Sequence, residues 1–324
     1  MTRTLVTGGT GYIGIKVVEE MRRAGRDVCV LDVLLHGQEV LAAEQREQGV
    51  DVVVGEVRDP DARRQSLERV DEVVHLAAIV GDPACGLDPD HSTDVNVNGT
   101  RGLLEDAIAA GVSKFVFAST CSNYGRMADP TVPVTEDGEL APISLYAEQK
   151  VSMERLILGR EFAALNPTCL RFATVYGAAP RMRFDLTVNE FTRDLWHDRE
   201  LEVFGEQFWR PYIHVHDAAR AVRTVLEAPR EKTDGEVFNA GRSDENYTKQ
   251  MLVEAIREQV DRGTVTYVER REDPRDYKVS FDKIHRVLRF ETNLTVPQGI
   301  AEIARAFDEE RWPDPWGPTY RNTP

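Results

Sequence analysis

Short apolar runs recur along the chain, and longer stretches with helical spacing separate them. Thr4–Leu5–Val6 precedes Ile15–Lys16–Val17–Val18–Glu19–Glu20–Met21. The series continues with Val28–Cys29–Val30–Leu31, Asp51–Val52–Val53–Val54, Glu72–Val73–Val74–His75–Leu76, Lys114–Phe115–Val116–Phe117–Ala118 and Cys169–Leu170–Arg171–Phe172. Runs this short, rich in β-branched and aromatic residues, predict buried strands. Between two of them, Gly99–Ala110 places Leu103, Leu104, Ala107 and Ile108 at helical spacing. The alternation predicts an α/β fold, a doubly wound parallel sheet with helices on both faces. Ligands of such sheets bind at the carboxyl ends of the strands.

The pattern loosens after Tyr176. Gly177–Ala178–Ala179–Pro180–Arg181 reads as a loop, Asp185 to His197 as an amphipathic helix, and Glu236–Val237–Phe238–Asn239 as one more strand of the sheet. This gives a first domain over 1–172, with segments near 211–240 returning to it, and a smaller α/β cap over 173–310. The Pro-rich tail, 311–324, contains Trp312–Pro313–Asp314–Pro315–Trp316–Gly317–Pro318 and cannot continue as regular helix or strand. It reads as an arm, either mobile or packed on a partner.

Residues Thr7 to Gly14 read TGGTGYIG, between the first strand and the first helix. Strand, glycine turn and helix in that order suit a dinucleotide pyrophosphate, as in the Rossmann fold. Gly8 permits the tight turn, Gly11 lets the backbone approach the phosphates, and Gly14 lets helix and strand pack closely. The helix opens with Tyr12, Ile13 and Gly14, whose end of the helix offers N–H groups and partial positive charge to an anion. The second strand ends in Asp32, 18 residues beyond Gly14. That is close to the spacing of the acid that binds the adenosine ribose hydroxyls. A carboxylate there repels a 2′-phosphate, and Val33 to Val40 contains no Arg or Lys. The expected cofactor is NAD rather than NADP.

With 324 residues, 41% hydrophobic and 29% charged, the chain has ordinary globular composition, enough for one large domain or two modest ones. Its net charge of −15 disfavours nucleic acid and anionic lipid as partners. An anionic substrate would therefore need local Arg clusters. Cys29, Cys85, Cys121 and Cys169 form no C-x-x-C pair, so neither structural zinc nor a disulfide framework is expected. No metal site is expected. No leader or membrane span is visible in the pattern, which makes the cytoplasm the default.

Tyr146 and Lys150 form Y-x-x-x-K. Residues four apart share a helix face, so an ammonium would stand beside a phenol. A phenol ordinarily ionises near pH 10, and a neighbouring cation favours its anion. Upstream, the strand ending at Ala118 runs into Ser119–Thr120–Cys121–Ser122–Asn123–Tyr124–Gly125. A hydroxyl at this strand end can hydrogen-bond a substrate alcohol or ketone beside the phenol. His214 and His216 alternate, which suggests two faces of one strand rather than a metal pair. Cys121 reads as a small buried neighbour.

With the glycine turn, the hydroxyl-rich strand end and Y-x-x-x-K in order, the sequence resembles the extended short-chain dehydrogenase/reductase family, in its nucleotide-sugar epimerase/dehydratase branch. The resemblance runs from Thr4 to about Phe290. It implies Thr120, Tyr146 and Lys150 as the catalytic Ser/Thr, base Tyr and Lys. It places Leu76, Ala77, Ala78 and Asn96 beside the cofactor, and Glu56 and Val57 against the adenine. Arg210, within Trp209–Arg210–Pro211–Tyr212–Ile213–His214, would meet the substrate diphosphate, for which a planar guanidinium fork is suited. A second diphosphate Arg falls on Arg271 or Arg275. Thr174 stands where many members have Asn, and Arg183 is a candidate further anion contact.

The resemblance also implies a shared opening step, oxidation of a sugar hydroxyl to a ketone with the Tyr as base. The family's dehydratases carry Asp–Glu after the catalytic Thr, and its decarboxylases tend to carry an acid at the second place. Cys121 and Ser122 stand there instead. The expectation is an NAD-dependent nucleotide-sugar epimerase inverting C4. The alternatives are a nucleotide-ketosugar reductase or an atypical nucleotide-sugar dehydratase. A non-catalytic NAD sensor would need none of the three catalytic residues. The resemblance further implies a homodimer pairing through Gly99–Ala110 and Leu145–Ala164.

Overall fold

The computed structural model describes residues 1–269 and 275–322. In chain order its strands are β1 (Arg3–Thr7), β2 (Asp27–Asp32), β3 (Asp51–Val54), β4 (Glu72–His75), β5 (Lys114–Thr120), β6 (Pro167–Phe172), β7 (Thr174–Tyr176), β8 (Glu200–Val203), β9 (Trp209–His214), β10 (Glu236–Ala240), β11 (Asn246–Thr248) and β12 (Thr264–Tyr267). The helices are α1 (Tyr12–Arg23), α2 (Glu39–Glu47), α3 (Pro60–Ser66), α4 (Asp82–Leu87), α5 (Pro89–Thr93), α6 (Thr100–Ala109), α7 (Leu145–Leu158), α8 (Thr187–Trp196), α9 (Val215–Glu227), α10 (Lys249–Arg257), α11 (Asp282–Leu288) and α12 (Val296–Asp308). The chain divides into two compact units. The first is 1–120, 144–171 and 219–238; the second is 121–143, 172–218 and 239–324.

The first unit is built on a seven-stranded sheet in the order β10-β6-β5-β4-β1-β2-β3. β1 pairs parallel with β2 and with β4, and β4 pairs parallel with β5. From β1 the chain moves outward to β2 and β3, then crosses back to β4 on the other side of β1. That reversal makes the carboxyl end of β1 a topological switch point, the place where such sheets open a crevice for ligands. β3 differs from the buried strand expected, because Asp51 and Val54 are exposed. The reason is its place as the outer strand.

One face of the sheet is covered through a continuous apolar cluster. Leu103, Leu104 and Ala107 of α6 and Met153 and Ile157 of α7 pack with Leu5, Val73, Phe115 and Phe117. Each such buried side chain contributes about 1.5–3 kcal/mol, so α7 is docked before any polar contact is considered. Ser144 begins that helix by accepting the N–H of Ala147 through its hydroxyl. A wide π-helical turn, Asp94–Gly99, precedes α6, where the sequence pattern read a single helix from Gly99.

The second unit contains a three-stranded sheet, β11-β9-β7, and a parallel pair of β8 and β12. Val188, Phe191 and Leu195 of α8 meet Leu252 and Ile256 of α10 and Val296 and Ile300 of α12 in its core. Thr295 caps α12, and the Gln298 side chain accepts the Thr295 N–H at 2.9 Å. The Pro-rich arm packs within this unit. Phe184 meets Phe307, Trp312 and Tyr320 edge to face or stacked, and its N–H donates to the Tyr320 carbonyl at 2.8 Å. Among the described residues, no helix is long and apolar enough to cross a membrane.

Candidate active site

The glycine turn follows β1 with little slack. Gly8 has φ +71°, and a Cβ there would lie 3.0 Å from the Ala77 nitrogen. Gly14 packs against the turn so closely that a Cβ would come within 2.0 Å of the Gly8 carbonyl oxygen. Around Gly11 the space is different: a Cβ would meet only the Gly8 oxygen, at 3.2 Å. Gly11 caps α1, so this open volume faces a helix start with its first-turn N–H groups. Asp32 is buried at the end of β2. One of its oxygens accepts the Thr10 N–H at 3.0 Å and the other the Leu34 N–H at 2.9 Å. Gln45, on α2, donates to the Gly9 carbonyl at 3.0 Å. An anion cradle with a fixed carboxylate beside it suits a dinucleotide with free ribose hydroxyls.

Behind the turn, His75 is fully buried between two hydroxyls. The Thr100 hydroxyl donates to the Asn96 carbonyl at 2.8 Å and so accepts from His75 Nε2 at 2.8 Å. His75 Nδ1 then accepts the Thr7 hydroxyl at 2.7 Å. Burial, with Lys150 nearby, pushes the imidazole down to about 3, so it is neutral. The Thr7 hydroxyl also accepts the Ala77 N–H at 3.2 Å. This chain fixes the backbone of Leu76 and Ala77 against the glycine turn.

Several of the expected cofactor residues also have partners within the chain. The Asn96 amide oxygen accepts the Ile79 N–H at 2.8 Å, and its nitrogen donates to the Ile79 carbonyl at 3.0 Å and to Gln149 Oε1 at 2.8 Å. It clamps the strand-end loop to α7. The Glu56 carboxylate is engaged by Arg58, which also reaches Asp94 at 2.9 Å. Val57 is buried, and its carbonyl accepts Arg63 at 2.9 Å.

Tyr146 and Lys150 lie on α7 as the spacing predicts. Lys150 Nζ is 5.8 Å from the Tyr146 ring centre and 4.6 Å from that of Phe117. It donates to the Ala118 carbonyl at 2.7 Å, two residues before Thr120 at the end of β5. Burial pulls this ammonium down to about 8, with Cys85, Glu154 and Cys169 acting in the opposite sense. Tyr146 and Thr120 are both half-buried. All three belong to the first unit. Sequence reasoning missed Glu154, whose signal was present as the next step of the four-residue spacing. It also missed Gln149, for which the sequence carried no signal.

In the second unit, Arg210 is buried on β9 with its guanidinium 5.1 Å from the Tyr277 ring centre and 2.7 Å from the Trp209 carbonyl. Arg275 is half-buried and acts with Arg210 on Tyr277, whose phenol burial pushes up. Arg271 lies outside the described residues. Thr174 opens β7 opposite Tyr212 of β9. The Arg183 fork is filled by Asp185, with two bonds of 2.7 Å. Arg181 is held by the arm through Asn322 at 2.7 Å. His214 and His216 do not face two sides: β9 ends at His214 and α9 begins at Val215, so the two rings stack at 5.4 Å. His214 Nε2 meets Glu302 at 2.8 Å. Cys121 is buried.

Residues 4–241 match the model of the NAD dependent epimerase/dehydratase family. A UDP-N-acetyl-alpha-D-glucosaminuronate decarboxylase of Bacillus cytotoxicus is 27% identical over 95% of this chain and 98% of its own. A dTDP-glucose 4,6-dehydratase of Streptomyces griseus is 31% identical over 98% of each. The structure of a UDP-glucose 4-epimerase with UDP-glucose, from Thermotoga maritima, superposes with a TM-score of 0.84 at 30% identity, over 95% of this chain and 99% of that one.

Proposed function

The chain belongs to the NAD dependent epimerase/dehydratase family, and from that premise we propose that it is a nucleotide-sugar epimerase inverting C4. Three relatives with three different reactions are similar to it, so the family alone does not choose among them. The observation that carries the choice is local. Lys150, on the Tyr146 face of α7, bonds the strand that ends at Thr120, and the next two positions hold a buried thiol and a hydroxyl rather than carboxyl groups. Elimination of water needs an acid and a base beyond the Tyr. Reversible oxidation does not.

When bound, NAD supplies the acceptor and donor of hydride. The chain's residues do the rest. Gly11 and the start of α1 hold the pyrophosphate, and Asp32 the adenosine ribose. Thr120 hydrogen-bonds the sugar oxygen, and Tyr146 takes its proton as the ketone forms. Lys150 stabilises the phenolate. Arg210 holds the diphosphate as a tether while the keto-sugar turns over, and Tyr146 then returns the proton on the opposite face. Arg275 is the second diphosphate candidate. Arg183, already bound to Asp185, is not required. No net redox occurs, so the cofactor stays bound through turnover. The active form we propose is a homodimer in the cytoplasm.

The test is a panel of UDP-, dTDP-, GDP- and CDP-sugars incubated with the protein in heavy water. An isomer without carbon-bound deuterium is the expected product. Loss of one water would establish dehydration, loss of carbon dioxide decarboxylation, and consumption of added NADH ketosugar reduction. Any of these would overturn the epimerase reading.

A further inference from the structure

A buried ion pair lies under the Tyr146–Lys150 pair, and the proposed reaction gives it no role. Glu154 follows Lys150 by four residues, as Lys150 follows Tyr146, so the three share one face of α7. Arg171 Nε lies 3.0 Å from one Glu154 oxygen, and its Nη2 lies 2.7 Å from the other. The Ser119 hydroxyl also donates to the first oxygen. Glu154 is 1% exposed and Arg171 4%. Desolvating both charges cancels much of their attraction, and an apolar pair of equal volume can stabilise a fold as well. Stability alone therefore does not require the charges.

Two contacts point to a further role. Ser119 directly precedes Thr120, and Ala118, one residue earlier, accepts the Lys150 ammonium. Two successive residues on the α7 face therefore grip two successive residues at the end of β5. The second contact is electrostatic. Around Lys150 stand Cys85 of α4, His75 of β4, Cys169 of β6, and Tyr146 and Glu154 of α7. Burial pushes both thiols up and the imidazole down, so those three are neutral at pH 7. Glu154, with its partner Arg171, is left as the fixed charge of this group.

We propose that Glu154, clamped by Arg171, is a positioning residue for the Tyr146–Lys150 relay, holding the end of β5 against α7 and keeping the buried ammonium protonated. The proposal rests on reading Tyr146 as the base. It extends that reading to a residue that touches neither substrate nor cofactor.

The experiment titrates the full-length protein with saturating NAD, labelled with ¹³C-lysine. The Lys150 signal is identified by its loss in K150R. Glu154→Gln leaves Arg171 uncompensated and should lower the Lys150 midpoint by about one pH unit. Arg171→Met leaves Glu154 uncompensated and should raise it by a smaller amount. The double variant E154L/R171M removes both charges and should leave it below wild type, by less than E154Q does, because Glu154 and not Arg171 is among the charges that act on Lys150. The alkaline limb of kcat should move with these midpoints. Equal midpoints in all variants, whatever their melting temperatures, would overturn the electrostatic half. Ser119→Ala removes one hydroxyl and keeps the clamp testable if E154Q does not fold. It should lower kcat about tenfold at unchanged KM, and unchanged kcat would overturn the clamp. The NMR midpoint needs no sugar substrate. A fully active Y146F enzyme would therefore sink the functional reading while the effect of Glu154 on Lys150 was still measured.

Discussion

The Asp32 carboxylate accepts the backbone N–H of Thr10 at 3.0 Å, which joins the acid at the end of β2 to the glycine turn after β1. The acid is aimed before any ligand arrives, and a bond to a charged acceptor is worth about 1.5–3 kcal/mol. Asp32→Ser should therefore weaken NAD binding about 10- to 100-fold and narrow its preference over NADP. Calorimetric titration with both nucleotides measures this. Unchanged NAD affinity would remove Asp32 from the cofactor site.

Two glycines of the same turn should respond differently to one added methyl group. Gly11→Ala meets only the Gly8 oxygen and sits at φ −77°, an ordinary angle, so stability should change by about 1 kcal/mol or less. Its methyl group fills the open volume at the helix start, and NAD affinity should fall about tenfold or more. Gly14→Ala drives a carbon into the Gly8 carbonyl and should cost about 1–3 kcal/mol or more, with cofactor binding lost as well. Urea unfolding and NAD titration of both variants separate packing from ligand space.

Tyr146→Phe should lower turnover by about 10²–10⁴ while leaving NAD bound. Single-turnover kinetics on the accepted sugar nucleotide, with cofactor released by denaturation and quantified, checks both halves. Full activity would place the base elsewhere.

His75 should make the fold acid-sensitive. Its folded value of about 3 lies below the ordinary 6.5, so between these pH values the unfolded chain binds a proton that the native one refuses. This contribution is complete above pH 6.5 and is lost as pH falls toward 3, at up to about 1.4 kcal/mol per pH unit. Urea unfolding at pH 7, 6 and 5 should show a shallower loss in His75→Asn than in wild type. Parallel curves would exclude His75 as the source.

What the sequence made legible was what local spacing encodes. Gly8, Gly11, Gly14, Asp32, Tyr146 and Lys150 each declare themselves within a single strand, turn or helix. The partners that the fold brings from far along the chain were not legible. Asn96 carries its amide to Ile79 and Gln149, 17 and 53 positions away. Nor does spacing say which way a side chain turns: Arg58 and Asp185, each two positions away, take up Glu56 and Arg183. The Pro-rich arm could not be placed because Phe184, which meets Trp312 and Tyr320, lies over 120 positions earlier. Helical period and strand alternation describe faces, whereas these outcomes depend on which faces meet.

The seventh strand of the large sheet carries a practical warning for anyone dissecting this chain. β10 is made by residues 236–240 yet lies beside β6, which ends at Phe172. A subclone stopping near residue 172 would expose a row of hydrogen-bonding groups along β6, an invitation to intermolecular pairing and precipitation. Separating the halves calls for a circular permutant or a spliced gene that keeps this late strand, not a simple stop codon.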